Sequence, residues 1–189
     1  MPERYAPGEG SPSPSRHFLD HLPALAQAAR LGPILDLACG RGRHTLASAR
    51  AGLPVIGMDR RIDFLEQLRE RAAAEALEVS CARTNLEAGY GIPLRQGACG
   101  AVLVFRYLHR PLAPAIEAAI APGGLLLYET FTLAQRDLDY GPSNPFFLLE
   151  SGELARLFPG LVVEHFEECM DGRRRPDAVA RLTARKPSP

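Results

Sequence analysis

The chain has 189 residues, is 46% hydrophobic and carries 22 basic against 22 acidic side chains, enough apolar content for one compact domain and no net field to gather a polyanion. No apolar stretch reaches transmembrane length and no charged-then-apolar leader opens the chain, which predicts a cytoplasmic protein that is neither exported nor membrane-bound. The four cysteines, Cys39, Cys81, Cys99 and Cys169, are scattered without paired spacing, which argues against a zinc site or a disulfide framework and predicts buried thiols.

Residues 1–15 are rich in Pro, Gly and Ser and predict a loosely held arm, with the folded domain over 16–186. From Arg16 to Arg30, Phe18, Leu19, Leu22, Leu25, Ala26 and Ala29 recur at helical spacing and predict one amphipathic helix. His17 and His21 lie one turn apart on it; with no third ligand nearby in sequence they read as a solvated face, and no metal is expected. The run Pro33 to Ala38, apolar but for Asp36, suits a strand buried on both faces, with its acid at the sheet edge. Gly40 and Gly42 then let the backbone turn sharply and approach a ligand closely. Arg43 to Ala51, stopped by Gly52, predicts a helix whose amide-rich end faces the same place. A second strand, Leu53 to Asp59, ends on a carboxylate able to accept two hydrogen bonds from the vicinal hydroxyls of a ribose.

These features describe a pocket for an adenosine-bearing cofactor, and the glycine pattern helps to choose which. Dinucleotide sites usually carry a third small residue that lets helix and strand close under a pyrophosphate; here that position is Thr45. Asp36, just before the glycines, would repel a pyrophosphate and attract a cofactor that presents an ammonium and a sulfonium.

Further along, Ile62 to Ala76 reads as a surface helix, Leu77 to Ala82 as a third strand and Gly100 to Phe105 as a fourth. Leu112 to Ala121 predicts a helix, Pro122-Gly123-Gly124 a turn, and Leu125 to Phe131 a fifth strand. Such alternation predicts a doubly wound parallel sheet with ligands at the carboxyl ends of its strands. Thr132 to Glu150 lacks periodicity; Phe146 to Leu149 within it serve either as the underside of a lid or as an anchor to the core. Ser151 to Phe158 predicts a short helix with Ser151 as its N-cap, and Leu161 to Cys169 with Ala178 to Ala184 a hairpin. Arg173-Arg174-Arg175 fall at the hairpin tip, where a solvated turn is expected rather than a phosphate-binding site.

The stretch Asp36-Leu37-Ala38-Cys39-Gly40-Arg41-Gly42 resembles the first motif of the class I S-adenosylmethionine-dependent methyltransferases, and the likeness extends over most of residues 16–186. It implies a single-domain α/β fold with a seven-stranded, mostly parallel, Rossmann-like sheet and an antiparallel C-terminal hairpin. It also implies S-adenosylmethionine as cofactor and S-adenosylhomocysteine as product. The cofactor-binding residues implied are Asp36, Ala38, Gly40, Gly42, Asp59, Arg60, Asn85, Leu86 and Phe105, with Asn85 standing where many members have Asp for the adenine. Within the family, the small size, Tyr107-Leu108-His109-Arg110 and Tyr128-Glu129-Thr130-Phe131 look closest to the tellurite-resistance type.

The acceptor implied is a small molecule rather than a protein or RNA, handled by a monomer or homodimer. His109 is the candidate general base, because its pKa range suits proton removal from an amine or hydroxyl. Tyr107, Tyr128 and Glu129 are expected to orient the acceptor, Glu129 as a partly buried acid with a raised pKa, and Arg106 and Arg110 either attract an anion or face water. A non-catalytic cofactor-binding adaptor and a dinucleotide-dependent oxidoreductase remain open as alternatives.

Overall fold

A computed structural model describes residues 13–89, 91–172 and 176–188. Five strands, β1 (Ile34–Leu37), β2 (Val55–Asp59), β3 (Ser80–Arg83), β4 (Cys99–Phe105) and β5 (Ile120–Phe131), run parallel. The hairpin β6 (Val162–Asp171) and β7 (Asp177–Arg185) completes a seven-stranded sheet in the order β3-β2-β1-β4-β5-β7-β6, with β7 antiparallel to both neighbours. The order reverses between β1 and β4, which opens a crevice at their carboxyl ends.

Because side chains alternate along a strand, each parallel strand feeds two cores. Leu35, Leu37, Val102, Val104 and Leu126 face α5 (Ala113–Ala119) and α6 (Glu153–Arg156). Ile34, Ala101, Leu103 and Leu127 face α1 (Arg16–Asp20) and α2 (Leu22–Ala28), where Phe18 and Leu25 are fully buried. On the flank, α3 (Arg43–Arg50) and α4 (Ile62–Ala74) join through Leu46, Leu65 and Leu68.

Several expectations need correction. The helix over 16–30 is two helices, broken at His21, whose φ of −103° and ψ of 5° leave the helical region just ahead of Pro23. Its histidines face the sheet rather than solvent. His17 is 4% exposed with Nε2 3.2 Å from the Leu182 carbonyl, and the His21 Nε2 lies 2.9 Å from the Thr183 hydroxyl. Desolvation, aided by His21, lowers the His17 pKa to about 4.

The third strand starts at Ser80 rather than Leu77, because the Leu77 N–H closes the end of α4 on the Ala72 carbonyl at 2.8 Å. The expected helix over 112–121 gives way to β5 at Ile120, which pairs with Cys99; Pro122-Gly123-Gly124 form the irregularity where the register passes to Ala101 and Leu125. Ser151 does not cap α6. Gly152 occupies that position at φ 68°, and the Ser151 hydroxyl donates to Glu168 at 2.8 Å. Residues 1–12 and the three arginines 173–175 lie outside the described residues, whereas Ser15, assigned to the loose arm, is buried.

Candidate cofactor and acceptor site

The loop after β1 takes left-handed backbone at Ala38, Gly40 and Gly42, with φ of 51°, 58° and 75°. Two anchors hold it against β2: the Cys39 N–H donates to the Met58 carbonyl at 2.9 Å, and the Gly40 N–H donates to Asp59 Oδ2 at 2.9 Å. The two glycines serve different ends. A Cβ on Gly42 would stand 2.4 Å from Leu68 Cδ1, so this glycine lets α4 close on the loop. A Cβ on Gly40 would meet nothing within 4 Å, so its backbone faces open space that a ligand can enter.

Asp59 ends β2 at 9% exposure, its second oxygen accepting from the Arg61 N–H at 2.9 Å. One backbone donor on each oxygen fixes the carboxylate plane and leaves lone pairs for a vicinal diol, the geometry a ribose requires. Arg60 is exposed and pairs at 3.5 Å with Glu87. Asn85 is exposed; its side-chain oxygen accepts the Glu87 N–H at 3.2 Å, which leaves the amide NH₂ to reach an adenine edge. Leu86 beside it is buried in the apolar cluster under the crevice.

Asp36 departs from its expected place. It lies inside β1, opposite Gly57 and Leu103, at 2% exposure, and Thr45 Oγ1 donates to its Oδ2 at 2.6 Å. Burial raises its pKa to about 6, against the lowering effect of Thr45. Thr45 therefore does what a third glycine could not: it carries the hydroxyl that satisfies a buried acid.

Phe105 ends β4 at 6% exposure, with its ring 3.9 Å from that of His44 on α3. The next residue, Arg106, is held at φ 59°, an uncommon backbone for a residue other than glycine and a form of strain typical of functional sites. The Tyr107 hydroxyl is shut away from solvent with no hydrogen-bond partner among the described residues, and burial pushes its pKa up to about 12. Burial thus keeps the phenol protonated near neutral pH, as a hydrogen-bond donor. His109 sits two residues on, half-buried, where its carbonyl accepts the Leu112 N–H at 3.0 Å.

Arg110, only part-buried, is engaged by the protein's own acceptors. It is bound by Glu153, and its Nη1 and Nη2 donate to the Phe146 and Leu148 carbonyls at 3.0 and 2.9 Å. The long loop is thereby tied down, with Leu148 and Leu149 buried while Phe146 remains 80% exposed.

The sequence reading missed a charged cluster beside this crevice. Glu129 on β5 is fully buried; its Oε2 accepts from Ser15 Oγ at 2.7 Å and from Arg181 Nε at 2.8 Å, and Arg106 Nη2 is 3.5 Å from its Oε1. Arg181 also meets Glu167 at 3.1 Å and Asp171 at 2.8 Å, and Arg106 meets Asp177 at 3.2 Å. Burial works against the Arg181 charge, yet the hydrogen bonds it donates to Glu129, Glu167 and Asp171 hold its pKa above the ordinary value. The Ser15 N–H donates to His44 Nε2 at 3.1 Å, so the segment before α1 bridges α3 and β5. One signal was available: an acid and a base each interrupt an otherwise apolar run, and Glu129 and Arg181 are register partners.

Comparison with known proteins adds a domain match and a fold likeness. Residues 34–124 match a methyltransferase domain. An uncharacterized RNA methyltransferase of Parasynechococcus marenigrum is 34% identical over 132 residues, 66% of this chain. The chain spans only 28% of that relative's length. TehB from Haemophilus influenzae superposes with a TM-score of 0.68 at 21% identity, over 87% of this chain and 62% of its own. An S-adenosylmethionine-dependent methyltransferase from Mesorhizobium loti gives 0.65 at 18% identity, over 88% and 97%. At such identities the structural likeness speaks for the fold, and it matches the sheet described above.

Proposed function

We propose that the chain is a class I S-adenosylmethionine-dependent methyltransferase that transfers a methyl group from that cofactor to a small-molecule acceptor at the carboxyl ends of β1, β2 and β4, a reading supported by the methyltransferase-domain match over residues 34–124 and by the fold. The observation that carries this reading is Asp59, oriented by the Gly40 and Arg61 N–H groups beside an open glycine backbone. When bound, the cofactor supplies a methyl on a sulfonium, already a good leaving group. The protein's part is then alignment and exclusion of water. Asp59 holds the sugar hydroxyls, Gly40 admits the donor to close range, Asn85 offers its amide to the base, and Asp36 places negative potential behind the loop. His109 is the group to receive a proton from an amine or hydroxyl acceptor.

The name of the cyanobacterial relative raises RNA as an acceptor. Equal numbers of basic and acidic side chains, 22 of each, favour the small molecule, since a phosphate backbone is normally met by a cationic surface.

Calorimetric titration with S-adenosylhomocysteine tests the reading. We expect saturable binding that Asp59→Ala weakens at least tenfold; comparable binding of NADH, or none of S-adenosylhomocysteine, would reject it. A lysate supplied with labelled methyl donor then separates enzyme from adaptor, since an adaptor binds the cofactor and labels nothing.

A further inference from the structure

We propose that Tyr107 belongs to the cofactor's seat rather than to proton transfer, its hydroxyl donating a hydrogen bond to an acceptor atom of the adenosine. This deepens the function proposed above and rests on it. The Tyr107 ring packs on the same apolar cluster as Ala38, Met58 and Leu86, residues at the crevice ends of β1, β2 and the segment after β3. The charges of Glu87, Arg60 and Asp59 all act on its hydroxyl, which places that group on the ribose side of the crevice rather than on the Glu129 side. Its backbone is fixed from behind, because the buried Tyr128 hydroxyl donates to the Tyr107 carbonyl at 3.0 Å.

A hydroxyl hidden from water without a partner is unfavourable, and substituting both partners of such a group by apolar ones is close to neutral. The Tyr107 hydroxyl, without a partner among the described residues, is therefore a poor stabiliser of the fold and a well-aimed donor for a ligand. Adenosine offers what it needs, ring nitrogens and sugar oxygens that accept. Nearby, the Arg60–Glu87 pair is 62% and 46% exposed at 3.5 Å, a contact weak enough to yield as the ligand enters.

The test is Tyr107→Phe in the full chain, titrated with S-adenosylhomocysteine and melted without added ligand. The variant is expected to bind about three- to tenfold more weakly, the size of one net hydrogen bond, and to melt no lower than the wild type. The protein has no tryptophan and five tyrosines, so tyrosine fluorescence gives a second readout. A change on titrating the wild type should be diminished in the variant. Equal affinities would overturn the inference, as would a lower melting temperature, which means the hydroxyl already has a structural partner. A wild type indifferent to S-adenosylhomocysteine overturns this inference together with the function it rests on, whereas equal affinities overturn this one alone.

Discussion

Asp36 and His17 are buried titratable groups whose shifts act on stability in opposite directions. Burial raises the Asp36 pKa from 3.8 to about 6, so between those values the folded chain keeps a proton that the unfolded chain has released. Stability contributed by this group is complete below 3.8 and declines as pH rises through 6, by about 3 kcal/mol in all. His17 falls from 6.5 to about 4, so the unfolded chain takes up a proton first, and its contribution is lost as pH falls from 6.5 toward 4. Burial also holds the His44 pKa well below 6.5, so two histidines oppose Asp36 and the wild-type melting temperature is expected to fall on acidification from pH 6 to 4. Asp36→Asn should steepen that fall, and His17→Gln should flatten it, because His44 then stands alone against Asp36. A thermal-shift series across that range checks both. The identities of these residues were plain in the sequence, but their environments were not. The Asp36 partner Thr45 is nine positions away on a helix, and the neighbours of His17 and His21 come from β7, more than 150 residues on.

The glycine loop sets a different test at the level of one element. Gly42→Ala forces a side chain into left-handed backbone and against Leu68, and should cost about 2–4 kcal/mol in urea unfolding. Gly40→Ala bears only the backbone penalty, about 1–2 kcal/mol, because nothing lies within 4 Å. Its effect on S-adenosylhomocysteine affinity should nevertheless be the larger of the two per unit of lost stability. If Gly42→Ala proves milder in urea, the packing argument fails. The strands and this loop were legible because continuous apolar runs and glycine punctuation are local signals. The break at His21, the shortened α6 and the 3₁₀ turn at Arg110–Leu112 were not, since helices of four to seven residues depend on tertiary contacts. The loop over 132–150 likewise shows its anchor, Leu148 and Leu149, only once Arg110 is seen gripping the carbonyls beside them.

Across the whole molecule, Ser15, β4, β5, β6 and β7 meet at Glu129, Arg106 and Arg181. Removing one member leaves a buried charge without its partner, so Arg181→Met should cost about 3–5 kcal/mol. The double variant Glu129→Leu/Arg181→Met should lose less than the sum of the single changes, as a double-mutant cycle in urea would read. Additive losses would mean that the two side chains act independently. The same arrangement bears on synthesis. Since β7 lies between β5 and β6, a nascent chain emerging from the ribosome shows β5 with one side bare, and β6 has no strand to pair with until residues 177–185 appear. The seven-stranded sheet therefore closes only when its penultimate position is filled by β7, the seventh of its strands in chain order, and until that moment an open β-edge requires shielding from neighbouring chains.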